Sequence, residues 1–122
     1  KTMSQDNTDF AAKLATIRLS YVTDALPEQV QAVRSSADQF EMAATGSIGL
    51  EALSDLHAAS HKLAGSSGTF GLADLSVVAR ALSEFTDAKG EINEDNYTSF
   101  KAQISEMAGA VYQAAESSDT DA

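Results

Sequence analysis

SHKLAGSSGTFG, residues 60–71, places one histidine against three glycines and an adjacent pair of serines in a chain that otherwise reads as helical. Inside a helix each glycine costs roughly 1 kcal/mol relative to alanine. The stretch therefore needs a physical reason, and its neighbours supply part of one. Leu53, Leu56, Ser60, Leu63 and Ser67 recur at three- and four-residue intervals and define the buried seam of a helix beginning near Ser47 to Leu50. Gly71 directly follows Phe70 and suits the left-handed position that closes a helix, with Leu72 as its apolar contact.

On this helix Leu56 and Leu63 nearly superimpose, because successive residues advance by about 100°. His61 lies two residues before Leu63 and points roughly 160° away from it, toward solvent. Ser54, His57, Ala58, Ala64, Gly65 and Gly68 share its face, and nearly all are small. Small neighbours leave an imidazole proud and reachable by another molecule. Gly65, four residues on, lies alongside the ring, and a glycine on an exposed face gains nothing from packing, so access to His61 is the reading we adopt for it. Ser66 and Ser67 turn away from His61, and for them close helix packing is the better reading.

Further helices follow on either side. Phe10, Leu14, Ile17 and Tyr21 form one apolar stripe, and Val30, Val33, Ala37 and Phe40 a second. Pro27 disfavours helix at Leu26, so the spacing predicts either a kink or a break there. Thr45 to Gly49 reads as a loop. Leu75, Val78, Ala79, Leu82 and Phe85 mark a helix ended by Lys89 and Gly90. Asn93 then serves as an N-cap ahead of Glu94 and Asp95. Tyr97, Phe100, Ile104, Met107 and Val111 complete the last stripe. Residues 1–8 and 117–122 are expected to fray. The expectation is all-α: a single domain, 1–122, folded as an up-and-down antiparallel four-helix bundle with a kinked or broken N-terminal helix.

Composition narrows the functions. The 122 residues include 18 acidic and 8 basic side chains, a formal net charge of −10, which repels phosphate backbones and anionic lipid. Nucleic acid and membrane surfaces are thus poor partners. There is no cysteine, so disulfides and thiolate metal sites are excluded. No apolar run approaches the ~20 residues of a membrane span, and no signal-peptide pattern is present, so the chain reads as soluble and cytoplasmic. Met3 is read as the native start, with Lys1 and Thr2 appended to it.

HKLAGSSGTFG with the LADL that follows it resembles the histidine-containing phosphotransfer (HPt) domain, through His61, Leu63, Gly65, Ser66, Ser67 and Gly71. LPEQV, residues 26–30, is similar to the leucine-proline segment of that family's earlier helix. Two positions depart from the pattern. Ala64 stands where the family often has lysine, and Ser83 where it often has glutamine. Lys62 is the only adjacent cation, either an auxiliary to His61 or an ordinary solvated lysine.

The resemblance implies a phosphorelay intermediate. His61 would accept a phosphoryl group through Nε2 from the aspartyl phosphate of a response-regulator receiver domain and pass it to another receiver. A hybrid sensor histidine kinase would stand upstream. Ser54, His57, Ala58, Ala64 and Gly68 would border the docking surface. The domain would need no cofactor of its own, and Mg2+ would belong to the receiver. No G-x-x-x-x-G-K-[ST] phosphate loop is present, so no autokinase activity is expected. Two other readings stay open: a helical interaction module, and a divalent metal held by His57 and His61. The second falls short of the three or four ligands of a stable site, and no metal is assigned.

Overall fold

The seam Leu53, Leu56, Ser60, Leu63 and Ser67 is completely buried, as its spacing predicts. The computed structural model describes residues 2–42, 47–87 and 97–121, with side chains described in 9–42, 51–87 and 97–117. Its helices are α1 (Thr2–Ser20), α2 (Leu26–Met42), α3 (Ser47–Thr69), α4 (Ala73–Thr86) and α5 (Tyr97–Asp121). A π-helical turn, Tyr21–Ala25, joins α1 to α2 without a loop, so the two form one long bent helix. α2 packs on α3 and α5, and α4 packs on the same two, which closes a four-helix bundle around one core.

Pro27 explains the bend. A proline in a helix donates no N–H and crowds the carbonyl four residues earlier, which here is Thr23. The chain does not break. Leu26 keeps helical angles, φ −59° and ψ −47°, and its N–H reaches back to the Tyr21 carbonyl. That wider turn carries the strain the sequence assigned to a kink or break. Side chains hold the bend against the far end of α3. Tyr21 stacks on Phe70 with centroids 4.4 Å apart. The Tyr21 hydroxyl donates to Gln29 Oε1 at 2.7 Å, and Gln29 Nε2 donates to Ser66 Oγ at 3.1 Å.

Small polar residues in the core are satisfied locally. Ser60 Oγ donates to the Leu56 carbonyl at 2.8 Å and Ser67 Oγ to the Leu63 carbonyl at 2.7 Å. Such back-bonding removes the penalty of an unpaired buried hydroxyl. Among the described residues no buried side-chain N or O lacks a partner. On the other side of the bundle, Phe40 meets Tyr97 and Phe100, and Phe100 meets Phe85 at 4.6 Å, joining α2, α4 and α5.

α3 ends as its sequence predicts. Gly71 has φ +81°. Leu72 N–H donates to the Ser67 carbonyl at 2.8 Å and Gly71 N–H to the Gly68 carbonyl at 3.2 Å, the paired bonds of a Schellman closure. Leu72 is buried behind it.

Two expectations need correction. The Phe10, Leu14 and Ile17 stripe is not core: these residues are 64%, 51% and 50% exposed in the order Phe10, Ile17 and Leu14, and only Tyr21 of the set is buried. α1 runs off the bundle and its neighbour is the π turn, so periodicity alone gave it no surface to cover. Ser47 to Gly49 belong to α3 rather than to a loop, because the glycine is carried within a long helix. The backbone is helical from Thr2 and through Asp121. The Thr45 part of the predicted loop, the Lys89–Gly90 stop and the Asn93 cap lie outside the described residues.

Two measurements test this fold. Gly71→Ala forces a Cβ into the left-handed region at a cost of about 1–2 kcal/mol, and thermal unfolding should show a melting point several degrees lower with helicity retained. Burial pushes the Tyr21 phenol up to about 12 and also raises Tyr97 and Tyr112. The folded state thus prefers the neutral phenol. Its contribution is complete below the ordinary tyrosine value of about 10 and is lost as pH rises through about 12. Urea midpoints should fall across that interval, and Tyr21→Phe should flatten the fall.

Candidate functional site

His61 sits on the exposed face of α3. Among the described residues nothing hydrogen-bonds or ion-pairs with its ring. Its ring neighbour is His57, one turn earlier, with centroids 6.2 Å apart and 20° between the planes.

His57 is held in a different way. Its Nδ1 lies 2.8 Å from the Ser83 carbonyl oxygen, which can only accept, so Nδ1 carries the proton. Thr86 Oγ1 is 3.3 Å from the same nitrogen. Nε2 faces the Asp87 carboxylate at 4.0 Å. One imidazole is thus tethered across the α3–α4 groove, and the other is free to meet a second molecule.

The face read from helix geometry is partly as expected. Ser54, Ala58, Gly65 and Gly68 are exposed together with His61, and His57 is half-buried. Ala64 is the correction. It is only 4% exposed, and its carbonyl accepts a hydrogen bond from Ser76 Oγ of α4 at 2.9 Å. α3 packs on both α2 and α4, so its buried face is wider than the single seam and takes in position 64. Ala64 is therefore largely covered by α4.

The two glycines of this face differ in kind. A Cβ built on Gly65 meets nothing within 4 Å, so no neighbour requires a glycine there. A Cβ on Gly68 lies 3.1 Å from Ser76 Oγ. Gly68, though exposed, sits where α4 approaches closely. Ser66 and Ser67 are packing residues as read, through Gln29 and the Leu63 carbonyl.

Beside His61 opens a pocket of about 340 Å³ lined by His57, His61, Ala64 and Gly65 of α3 and by Arg80, Ser83, Glu84 and Asp87 of α4. Lys62 is exposed and is not among the lining residues. Ser83, at the place of the family's glutamine, is buried and offers its carbonyl to His57. Sequence reasoning missed Arg80. The signal was the antiparallel register: pairing Ala64 with Ser76 and His57 with Ser83 sets Arg80 opposite His61. Among the described residues no three or more His, Cys, Asp or Glu side chains gather as metal ligands. None of the described helices is long and apolar enough to cross a membrane.

Comparison with known proteins agrees with this geometry. The Hpt domain family model matches residues 19–114, from the end of α1 to well inside α5. No curated protein matches the chain, and no solved structure does. The match spans His61, its tethered neighbour and the bundle that carries them, and the chain belongs to the Hpt domain family, the phosphotransfer carriers of two-component relays.

Proposed function

We propose that His61 is the phosphoryl acceptor and donor of this domain, exchanging the group with aspartates of response-regulator receiver domains. The observation that carries the reading is the pair of histidines: His57 is engaged at Nδ1 by Ser83 and faces Asp87, whereas His61 is exposed and unengaged beside an open pocket.

A neutral imidazole has a lone pair on one ring nitrogen. Nε2 of His61, the atom implied by the family, attacks phosphorus. The N–P bond forms as the P–O bond to the receiver aspartate breaks, and the electron pair leaves with the carboxylate oxygen. Return to a second receiver reverses the roles: its carboxylate attacks and the imidazole leaves. Such in-line transfer demands positioning and charge neutralisation rather than new covalent chemistry. Mg2+ in the receiver supplies much of that neutralisation. This domain contributes a nucleophile and a surface, draws on no cofactor of its own and carries no kinase activity. A hybrid sensor histidine kinase stands upstream, in the cytoplasm.

A phosphorylated receiver domain mixed with the protein, followed by mass spectrometry of the modified residue, tests the assignment. His61→Gln should abolish acceptance while melting stays nearly unchanged, since an exposed polar site contributes little to stability. His57→Ala should retain transfer within a few-fold. Label on His57, or acceptance by His61→Gln, overturns the assignment. A partner that binds His61→Gln normally and never transfers label to the wild type would favour the interaction module instead.

Gly65 and Gly68 should part company under the same substitution. Gly65→Leu gains helix propensity of about 1 kcal/mol and should keep its fold, because a Cβ there meets nothing within 4 Å. Transfer from a receiver should fall at least tenfold, since a displacement of ~1 Å at reacting atoms can cost about a hundredfold. Reaction with phosphoramidate, which needs no docking, should suffer much less. Gly68→Leu should instead lower the melting point, because its side chain collides with Ser76. Equal slowing of Gly65→Leu with both donors would show that clearance for a partner is not what Gly65 provides.

A further inference from the structure

Adding a phosphoryl group to His61 brings a dianion to a chain with a formal net charge of −10. The adjoining pocket already contains Glu84 and Asp87. Both the incoming group and the product are therefore opposed by local charge unless a cation faces them. α3 does not supply one inside the pocket: Ala64 is buried and Lys62 lies outside the lining. The one fixed cation among the lining residues is Arg80, on α4.

We propose that Arg80 is a catalytic residue for phosphoryl transfer at His61, its guanidinium donating hydrogen bonds to the phosphoryl oxygens as the group arrives and while it resides there. This rests on the reading of His61 as acceptor. Position supports it first. Ser76 is bonded to the Ala64 carbonyl one turn before Arg80, and His57 is bonded to the Ser83 carbonyl just beyond, so Arg80 is clamped at the level of His61 from both sides.

Availability supports it second. Arg80 is exposed, and among the described residues it forms no ion pair. Glu84 lies four residues on, but an arginine preceding its acid is the less favourable order for a helical pair. The guanidinium is thus free to turn toward a better anion. Geometry supports it third. A planar fork of N–H donors matches phosphate oxygens two at a time, and one open pocket is lined by both His61 and Arg80. No bond to Arg80 forms or breaks; it acts by charge and hydrogen bonding, as preorganised donors do at a developing anion.

The test compares phosphoramidate, which transfers its phosphoryl group to an imidazole with release of ammonia, with a phosphorylated receiver. Arg80→Gln should slow acceptance from both donors by about tenfold, a modest version of the loss seen when one preorganised donor is removed from a buried site. Arg80→Lys should recover much of the rate, because the charge returns without the fork. Arg34→Gln removes a cation stacked on Tyr112, away from the pocket, and should react at the wild-type rate. Both Arg80 variants should melt as the wild type does.

An Arg80→Gln protein that accepts phosphate from phosphoramidate at the wild-type rate, on His61 by mass spectrometry, overturns the role of Arg80 and leaves the acceptor assignment standing. Slowing confined to the receiver shows that Arg80 binds the partner instead, and failure of Arg80→Lys to recover any rate shows that charge is not its contribution; either overturns the proposal. A wild type that takes no label on His61 from either donor removes the acceptor assignment and Arg80's role with it.

Discussion

Ser76 donating to the Ala64 carbonyl at 2.9 Å, with Gly68 beneath it, is the contact from which the site follows. Two helices can approach this closely only where one of them lacks a side chain. The approach sets both the distance and the register of α4 on α3. Within that register the Ser83 carbonyl meets His57, and Arg80 stands at the height of His61. A Cβ at position 68 would lie 3.1 Å from Ser76 Oγ and press on the hydroxyl that makes this contact.

The two histidines show how environment divides one residue type between two tasks. They share a helix face one turn apart with rings nearly parallel. What separates them is the end of α4: the Ser83 carbonyl and the Asp87 carboxylate meet His57, and among the described residues no hydrogen-bond or ion-pair partner meets the ring of His61. The tether costs His57 its freedom and gives the groove a fixed edge. The small exposed residues Ser54, Ala58 and Gly65 then leave His61 exposed on that side. A strongly acidic chain suits a carrier that should not linger on nucleic acid or anionic lipid.

The bend between α1 and α2 is a second, independent constraint. Pro27 makes a regular helix unfavourable, and the π turn, the Tyr21–Phe70 stack and the Gln29–Ser66 bond convert that into a defined geometry tied to the end of α3. The family match starts at residue 19, close to this bend, and α1 before it leaves Phe10, Leu14 and Ile17 in solvent.

By itself the sequence determined the class of fold, most helix faces, the closure of α3 at Gly71 and the identity of the exposed histidine, because each depends on local periodicity or on one residue's backbone preference. The stripes of α2, α3, α4 and α5 lie where the three- and four-residue spacing puts them. Only tertiary structure decided which side of each stripe has a neighbour. A helix touching two partners buries more than one seam, which covers most of Ala64, and a helix whose main neighbour among the described elements is the π turn leaves its stripe exposed, as Phe10, Leu14 and Ile17 are. Arg80 was invisible for the same reason. Its closeness to His61 comes from the register of two helices, and register is set by side-chain contacts such as Ser76 with Ala64 that no spacing along a single chain encodes.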